Sequence, residues 1–354
     1  MYGDSIHQQV EEQHGDNGHM TQWNIQDNAN DSMAPLCDLR ATFEQRTGGL
    51  TTLERLTKRR GSSPAGFLCS DATRAEMIAE RTGLRHIADG TVTSHDHPEI
   101  NSPWDVLSHL PQLLVEDLKE AEQYTHAHGA TTFGEHRIDV HPTVTICPNV
   151  TMDASAGAIR IEEGATVRPG AVLCGPCWIG KHVTIVDNAC IKANTSIGPW
   201  CKIGGEVGGT IFQAYTNKSH DGHLGDSVIG EWVNFGAGTI NSNLLNTYAD
   251  VIVKGLDGKR HRTNNQFVGC FVGDHVKFAI GTRIMTGSVV GTGSMLASSM
   301  PVPTPTPRFS WITDAGTRKY AVDKCITVAK TVMARRSLEL GSATESVFRR
   351  LANE

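Results

Sequence analysis

The chain has 354 residues, of which 39% are hydrophobic and 20% are charged, a composition typical of a folded protein with more than one domain. Its formal net charge of -6 gives no electrostatic reason to expect nucleic acid or an anionic membrane as a partner. No run of about eighteen apolar residues occurs, and the first residues form no apolar leader, which disfavours membrane insertion and export. The nine cysteines are therefore expected to be reduced thiols in the cytoplasm.

The N-terminal third divides into a polar tail and a mixed segment. Residues 1–33 are rich in Gln, Asn, Asp and His, so they bury too little apolar surface to offset the entropy of ordering, and we expect a disordered tail. Residues 34–130 combine two short apolar runs with two amphipathic stretches, 72–82 and 103–126. This pattern predicts a small α/β domain.

From residue 135 to residue 300 the sequence follows a period of six. Every sixth residue in the longest run is aliphatic: Ile161, Val167, Leu173, Ile179, Ile185, Ile191, Ile197 and Ile203. The residue four places after each of them is small or β-branched. At the hydrophobic content of 39%, the aliphatic series would arise by chance in about one register in 2,000.

A period of six matches neither an α-helix nor a long strand, but it is typical of a left-handed parallel β-helix built from hexapeptide repeats. Three short strands then form one triangular coil of about eighteen residues, and the repeats found here make about six coils. The predicted fold is thus mainly β, with a small N-terminal α/β domain and a C-terminal helix.

Two segments interrupt the predicted repeat, and a different pattern follows it. Residues 208–223 are predicted to be an insertion, and residues 241–266 a hairpin arm that turns at Asp257-Gly258 and stands off the column. Residues 301–354 contain prolines 301, 303, 305 and 307, which are expected to end the strand ladder because proline lacks an amide donor. A helix is predicted from about residue 318 to residue 336.

Interruptions of a regular solenoid can place polar groups without disturbing its core, so function is expected there. His220 lies in the first interruption and is the leading candidate for a general base, since an ordinary imidazole accepts a proton near pH 6.5. The alternative is a surface histidine, one of 16 in the chain. Composition alone does not decide between the two interpretations.

The residues around His220 also resemble a known family. The motif GGEV at 204–207, followed by YTNKSHDGHLGDSVIGEWVNFGAGTINSNL from Tyr215, is similar to the acetyltransferase half of the bifunctional sugar-1-phosphate nucleotidylyltransferases and amino-sugar-1-phosphate N-acetyltransferases. The likeness is greatest to an archaeal and alternative bacterial branch. FVGDHVKFAIGTRIMTGSVVG, FSW at 309–311 and AKTVMARR continue it downstream.

The resemblance implies a homotrimer of parallel β-helices that transfers an acetyl group from acetyl-CoA, bound between neighbouring columns, to a small amino-sugar substrate. His220 matches the histidine that removes a proton from the sugar amine. Asn234 and Asn243 match asparagines that hold the substrates, and Ala237 matches an alanine beside the thioester. The resemblance also implies substrate contacts for Asn217 and Lys218, which form an NK motif of this branch.

The residues themselves fit this chemistry. Acetyl transfer from a thioester needs a neutral amine, a base and donors for the oxyanion, but no metal. Gly236, Ala237 and Gly238 would let backbone amides approach the acetyl group closely, and Glu206 is a candidate to hold the imidazole of His220. We expect no metal site, since the Cys174-x-x-Cys177 pair lacks a second pair at zinc-ribbon spacing.

Two departures from the family pattern limit the assignment. His223 stands where the family usually has a tyrosine that contacts the sugar, so His223 is predicted to contact the substrate in its place. The Gly-rich loop of the nucleotidylyltransferase half is missing from residues 34–130, where Arg46 and Gly48 resemble relics, so we expect no nucleotidylyl transfer. The remaining alternatives are an O-acyltransferase acting on a sugar hydroxyl and a non-catalytic scaffold that binds a sugar nucleotide.

Overall fold

In the computed structural model of the chain, the structure describes residues 23–88, 98–124 and 129–354. These residues form a mainly β molecule, in which short parallel strands stack into a triangular column and helices pack on its outside. The predicted parallel β-helix, the N-terminal α/β region and the C-terminal helix are confirmed.

An N-terminal unit precedes the column. In chain order it contains β1 (Asn24–Gln26), α1 (Thr52–Arg60), β2 (Gly66–Leu68), α2 (Ala72–Thr82) and α3 (Pro103–Glu120). Strands β1 and β2 pair in parallel, and 3-10 turns occupy Asp31–Met33 and Thr42–Glu44. Helix α3 begins where the second predicted amphipathic stretch begins, with Pro103 at its first position, where proline is favoured, and Asp105 in its first turn.

The predicted boundary of the disordered tail at residue 33 is too late. Trp23 and Ile25 are 2% and 0% exposed, and β1 pairs with β2, so ordered structure begins at least ten residues earlier. The two apolar side chains enter a core that β2 and α2 share, which compensates for the polar residues around them. Residues 1–22 of the predicted tail lie outside the described residues.

The column consists of strands two or three residues long. In chain order the strands are β3 (Thr131–Phe133), β4 (Ile138–Val140), β5 (Thr145–Ile146), β6 (Thr151–Asp153), β7 (Ile159–Ile161), β8 (Thr166–Val167), β9 (Val172–Cys174), β10 (Cys177–Ile179), β11 (Thr184–Ile185), β12 (Cys190–Ile191), β13 (Thr195–Ile197), β14 (Lys202–Ile203), β15 (Glu206–Gly208), β16 (Ile211–Phe212), β17 (Asn217–Lys218), β18 (His223–Gly225), β19 (Val228–Ile229), β20 (Asn234–Phe235), β21 (Ile240–Asn241), β22 (Ile252–Lys254), β23 (Arg260–Arg262), β24 (Cys270–Val272), β25 (Lys277–Phe278), β26 (Arg283–Ile284), β27 (Ser288–Val290) and β28 (Met295–Ala297).

All of these strands except β22 and β23 belong to the column, which has three faces. Face 1 is the eight-stranded sheet from β4 to β27, and face 2 is the ten-stranded sheet that begins at β5. Face 3 is the six-stranded sheet from β3 to β18, above which β21 and β26 pair. The aliphatic residues of the six-residue series point inward and are almost fully buried, as the repeat predicts.

Residues 208–223, predicted to be an insertion, belong to the regular column. Strands β16, β17 and β18 pair in parallel with β13, β14 and β15. Lys218 pairs with Ile203, fifteen residues earlier, whereas Ile197 pairs with Ile179, eighteen residues earlier. The shorter coil and the lysine at an inward position hid the repeat, and the eight strands of face 1 show that the prediction of six coils was too low.

The second interruption is the predicted hairpin, but it does not stand off the column. Strands β22 and β23 pair antiparallel. Val251 and Val253 are 1% and 0% exposed because they pack in one cluster with Val289 of face 1 and apolar residues of α3. The burial of these valines holds the hairpin flat against the column.

The proline-rich segment interrupts the ladder without ending it. β29 (Ser310–Thr313) pairs in parallel with β28, and β30 (Gly316–Lys319) then pairs antiparallel with β29. Two helices follow, α4 (Val322–Ala334) and α5 (Ser342–Asn353); the second was not predicted. Phe348 of α5 joins a core with β1, β2 and α2, so the C-terminus and the N-terminal unit pack together.

Candidate active site

The predicted base lies where face 2 turns into face 3. Residues 219–222, here called the base corner, connect β17 to β18, and His220 is exposed there. Among the residues that the structure describes, none hydrogen-bonds the imidazole of His220. The ring is therefore available to a ligand on the outside of the column.

The base corner is packed tightly beneath the corner of the next coil. Gly222 has a φ of 126°, and a Cβ at this position would lie 2.2 Å from the carbonyl oxygen of Thr239. The amide of Gly238 donates a hydrogen bond to the carbonyl of Asp221 at 3.2 Å. A side chain at position 222 would separate the two corners, so glycine is required there.

Residues 236–239 form this upper corner, here called the glycine corner, between β20 and β21. The amides of Gly236 and Gly238 donate to the carbonyls of Phe278 and Asp221 at 3.0 and 3.2 Å. Within the described chain, the amide of Ala237 has no acceptor, and Ala237 is exposed. Only one of the three predicted amides is therefore free to meet an acetyl oxygen.

Asn217 and Asn234 lie side by side on the outside of face 2. They are register partners on β17 and β20, and the next residue of each strand, Lys218 or Phe235, points inward and is buried. Alternation along a strand therefore turns both asparagine side chains outward. Both predicted asparagines thus lie on the strands that lead into the two corners.

Lys218 lies inside the column rather than on its surface. It is 2% exposed, and its Nζ donates hydrogen bonds to the carbonyls of Gly204 and His220, both at 3.0 Å. Burial lowers the pKa of Lys218 to about 8, although the nearby charge of Asp221 opposes the shift. This placement differs from the predicted substrate contact, because the ammonium faces the backbone of the base corner.

Glu206 contacts a different imidazole from the one predicted. It is the register partner of His223 on face 3, and its Oε1 lies 3.7 Å from Nδ1 of His223. The same oxygen lies 2.7 Å from Nζ of Lys192, and this hydrogen bond lowers the pKa of Glu206. In the described part of the chain, the ion-pair partners of Glu206 are Lys192 and His223, and no ion pair joins it to His220.

His223 and Asn243 meet over a glycine on face 3. A Cβ at Gly225 would lie 2.7 Å from Nε2 of His223 and 2.8 Å from Nδ2 of Asn243. The Asn243 amide donates to Oδ2 of Asp226 at 2.6 Å, while burial raises the pKa of Asp226. The predicted substrate residues therefore form two groups, one on each side of the base corner.

Arg46 and Gly48, which the sequence suggested as relics, attach their segment to the column. The carbonyl of Gly48 accepts a hydrogen bond from Oγ of Ser196 at 2.6 Å, and the amide of Arg46 donates to Oε1 of Gln213 at 2.9 Å.

Cys177 of the cysteine pair is fully buried, and burial raises the pKa of its thiol. Across the described ranges, no group of three or more metal-ligating side chains occurs.

Sequence reasoning missed a buried charge cluster at the corner between faces 1 and 2. Nη2 of Arg40 lies 2.5 Å from Oδ1 of Asp274 and 3.7 Å from Glu231, and Arg81 contacts Glu231 at 3.2 Å. Burial would raise the pKa of Glu231, but Arg81 and Arg40 outweigh it and lower this pKa. Glu231 and Asp274 each follow a glycine at the same corner, in Gly-Glu-Trp and Gly-Asp-His. This repeated pattern is the sequence feature that could have revealed the cluster.

Comparisons with known proteins point to one group of enzymes. The chain is 36% identical over 137 residues to a bifunctional sugar-1-phosphate nucleotidylyltransferase/acetyltransferase of Sulfurisphaera tokodaii, covering 38% of this chain and 34% of that protein. It is similar to these bifunctional enzymes. It is also 26% identical over 190 residues to the bifunctional protein GlmU of Thermotoga petrophila and 29% identical over 203 residues to that of Methanococcus maripaludis.

These matches cover part of each relative. The two GlmU alignments span 49% and 57% of this chain, but 39% and 43% of the relatives, so the chain spans about two fifths of their length. No family model matches the chain. A search of solved structures found the polySia specific acetyltransferase NeuO at a TM-score of 0.33 and 11% identity, covering 58% of this chain and 98% of that one. In the described residues no helix is long and apolar enough to cross a bilayer.

Proposed function

We propose that the column transfers an acetyl group from acetyl-CoA to the amino group of a sugar phosphate or nucleotide sugar, with His220 as the general base. The observation that carries this proposal is the stacking of two corners. The exposed imidazole of His220 lies one coil below the unpaired amide of Ala237, and successive coils are about 4.8 Å apart. A base and an oxyanion donor are thus close enough to act on one small group.

The proposed reaction needs only these groups. The neutral amine attacks the thioester carbonyl, and His220 takes the proton that the new C–N bond releases. The amide of Ala237 donates to the oxyanion, and the C–S bond then breaks as the thiolate of CoA leaves and is protonated. Asn217 and Asn234 are proposed to hold the substrates on face 2, and His223 and Asn243 are proposed to hold them on face 3.

Lys218 and Glu206 are proposed to act indirectly. Lys218 holds the carbonyl of His220 from inside the column, so it positions the base. Glu206 lies beside His223, so it is proposed to orient that imidazole toward the acceptor. The name of the Sulfurisphaera tokodaii relative, a sugar-1-phosphate nucleotidylyltransferase/acetyltransferase, supports the donor chemistry and the class of acceptor.

We also propose a homotrimer in the cytoplasm. Ile240, Ile280 and Met300 are 43%, 78% and 66% exposed, and Ile280 lies directly above the glycine corner. A neighbouring column would bury these three side chains and supply a second wall for the acetyl donor.

All nine cysteines are free thiols, which supports a reducing compartment. Nucleotidylyl transfer is proposed to be absent, since Arg46 and Gly48 attach the N-terminal segment to the column.

A thiol-release assay tests the proposal. Acetyl-CoA and glucosamine 1-phosphate should give free CoA, and His220→Ala should lower kcat by about 100-fold or more while CoA still binds. His182→Ala is the matched control, because His182 is exposed at the corner between faces 1 and 2, where its ring stacks on Trp200 at 4.2 Å; this variant should keep the wild-type rate.

The acceptor panel separates the alternatives. Faster turnover of a sugar hydroxyl than of any amine would identify an O-acyltransferase. Absence of thiol release with every amino sugar and hydroxyl acceptor would contradict catalysis and favour a scaffold that binds a sugar nucleotide.

A further inference from the structure

A cavity of about 580 Å³ lies on the upper part of face 2, between β28–β30 and α4. We call it the upper trench. Its lining consists of Met295, Trp311, Arg318, Lys319, Tyr320, Ala321, Lys324, Thr327 and Val328. This volume falls in the range of pockets that hold small molecules or cofactors.

Aromatic rings form one wall of the upper trench. The rings of Trp311 and Tyr320 have centroids 5.1 Å apart, and the guanidinium of Arg318 lies 5.2 Å from the centre of the Trp311 ring. Tyr320 is 6% exposed, whereas Trp311 is half-buried. A flat aromatic ligand can contact the accessible part of the indole, beside a guanidinium that remains stacked on it.

The charge of the upper trench is entirely positive. Arg318, Lys319 and Lys324 are exposed, and no carboxylate is among the lining residues. Within the described chain, no carboxylate lies within ion-pair distance of any of the three. Other cations of the same C-terminal region are paired, such as Lys330 with Glu345 at 2.6 Å and Arg349 with Asp323 at 2.7 Å. Three unpaired cations around one cavity favour a ligand with several negative charges.

The upper trench lies on the same face as the proposed acetyl-transfer site. One outward row of face 2 runs through Asn217, Asn234, Lys277, Met295 and Trp311. Adjacent strands are about 4.8 Å apart, so Met295 lies about 10 Å above Asn234. An elongated molecule could occupy both places at once.

We propose that the upper trench binds a nucleoside diphosphate group, with its base against Trp311 and its phosphates held by Arg318, Lys319 and Lys324. This inference rests on the proposed function, which supplies two sources of such a group. One source is the phosphorylated adenosine diphosphate of CoA, and the other is the nucleoside diphosphate of a nucleotide-sugar acceptor. Both sources share the chemistry that the lining recognises, a flat base joined to at least two phosphates.

Calorimetric titration without turnover tests the inference. The probes are CoA, adenosine 3′,5′-bisphosphate, UDP and pantetheine, each titrated into the wild type and into Arg318→Ala/Lys324→Ala. We expect the double variant to weaken nucleotide binding by at least about ten-fold, and pantetheine binding to stay unchanged. Trp311→Phe should remove the fluorescence change on nucleotide binding, and added salt should weaken that binding.

Lys181→Ala is the matched control, since this exposed lysine contacts Glu163 at 3.1 Å several coils below the upper trench. Binding of the adenosine compounds alone would identify CoA as the source, and binding of UDP alone would identify a nucleotide sugar; both outcomes support the proposal. Failure of every nucleotide to bind, or equal affinity in the double variant, would overturn it. Because binding is measured without an acceptor, a failure of acetyl transfer in the thiol assay remains a separate result.

Discussion

Lys218 is an ammonium in an interior that is lined mostly by apolar side chains. Its two acceptors are backbone carbonyls, and among the described residues no carboxylate lies within ion-pair distance of its Nζ. Burial of such a charge costs free energy that two carbonyls do not fully offset. Stability therefore does not explain the lysine, whereas its hydrogen bond to the carbonyl of His220 connects it to the base.

Lys218→Met should separate stability from activity. Methionine fills a similar volume and removes the buried charge, so we expect a melting temperature equal to or above that of the wild type. The base corner loses its donor, so kcat should fall by about ten-fold with little change in KM. Calorimetry and the thiol assay measure both effects, with Lys181→Met as the control; an unchanged kcat would show that Lys218 does not position His220.

Lys218 should also make stability depend on pH. Its pKa is about 8 in the folded chain, below the ordinary value of about 10.4 in the unfolded chain. Between these values the unfolded chain holds a proton that the folded chain has lost, so unfolding takes up a proton and stability rises with pH. From pH 7 to pH 9.5 the wild type should gain about 2 kcal/mol relative to Lys218→Met. Urea titrations at the two pH values measure this difference; equal changes in both proteins would contradict it.

For single residues, the sequence predicted the positions of the candidate site residues better than the directions of their side chains. His220, Asn234 and Ala237 were found through motif resemblance and lie on or beside two stacked corners. The inward direction of Lys218 and the contact of Glu206 with His223 depend on the strand register. Because a lysine rarely occupies an inward position, the hydrophobic pattern could not place it.

At the scale of elements, the period of six predicted the column wherever its coils have the regular length. It failed at β16–β18, where the coil shortens and Lys218 replaces an aliphatic residue. The hairpin β22–β23 was recognised from its Asp257-Gly258 turn, but its position was not. A hairpin lies flat when its valines find apolar side chains to pack against, here Val289 and residues of α3. These partners are distant in the sequence, so the hairpin's own residues could not predict its position.

The segment from 34 to 51 is attached to the column by the buried Arg40–Asp274 pair. Arg40→Met leaves Asp274, which is 2% exposed, without its cation, so the free energy of unfolding should fall by about 3–5 kcal/mol. Adding Asp274→Leu should recover part of this loss. Arg168→Met is the control, since Arg168 and Asp187 form an exposed pair at 3.2 Å and should contribute little. Chemical denaturation measures all four proteins; a loss in Arg40→Met no larger than in the control would contradict the attachment.

At the scale of the whole molecule, the N-terminal unit and the C-terminal helices form one body on the column. Ile25, Phe309 and Phe348 belong to one buried cluster, although the sequence suggested separate segments at 34–130 and 301–354. Composition and periodicity describe segments one at a time, so they could not show that the two ends of the chain share a core.

The proposed trimer gives a prediction at this scale. Light scattering should give three times the monomer mass, and Ile280→Glu should dissociate the trimer and abolish thiol release, because a carboxylate would be buried at the interface. Val115→Glu is the control, since Val115 is 52% exposed on α3 and should leave both properties unchanged. A monomeric wild type that is fully active would contradict the trimer.

The most direct measurement is a crystal structure with CoA and an amino sugar bound. We expect the acceptor nitrogen within hydrogen-bond distance of the His220 imidazole and the sulfur of CoA beside Ala237, with Asn217 and Asn234 in contact with the ligands. CoA bound away from the two corners, or an acceptor that His220 does not reach, would contradict the proposed site.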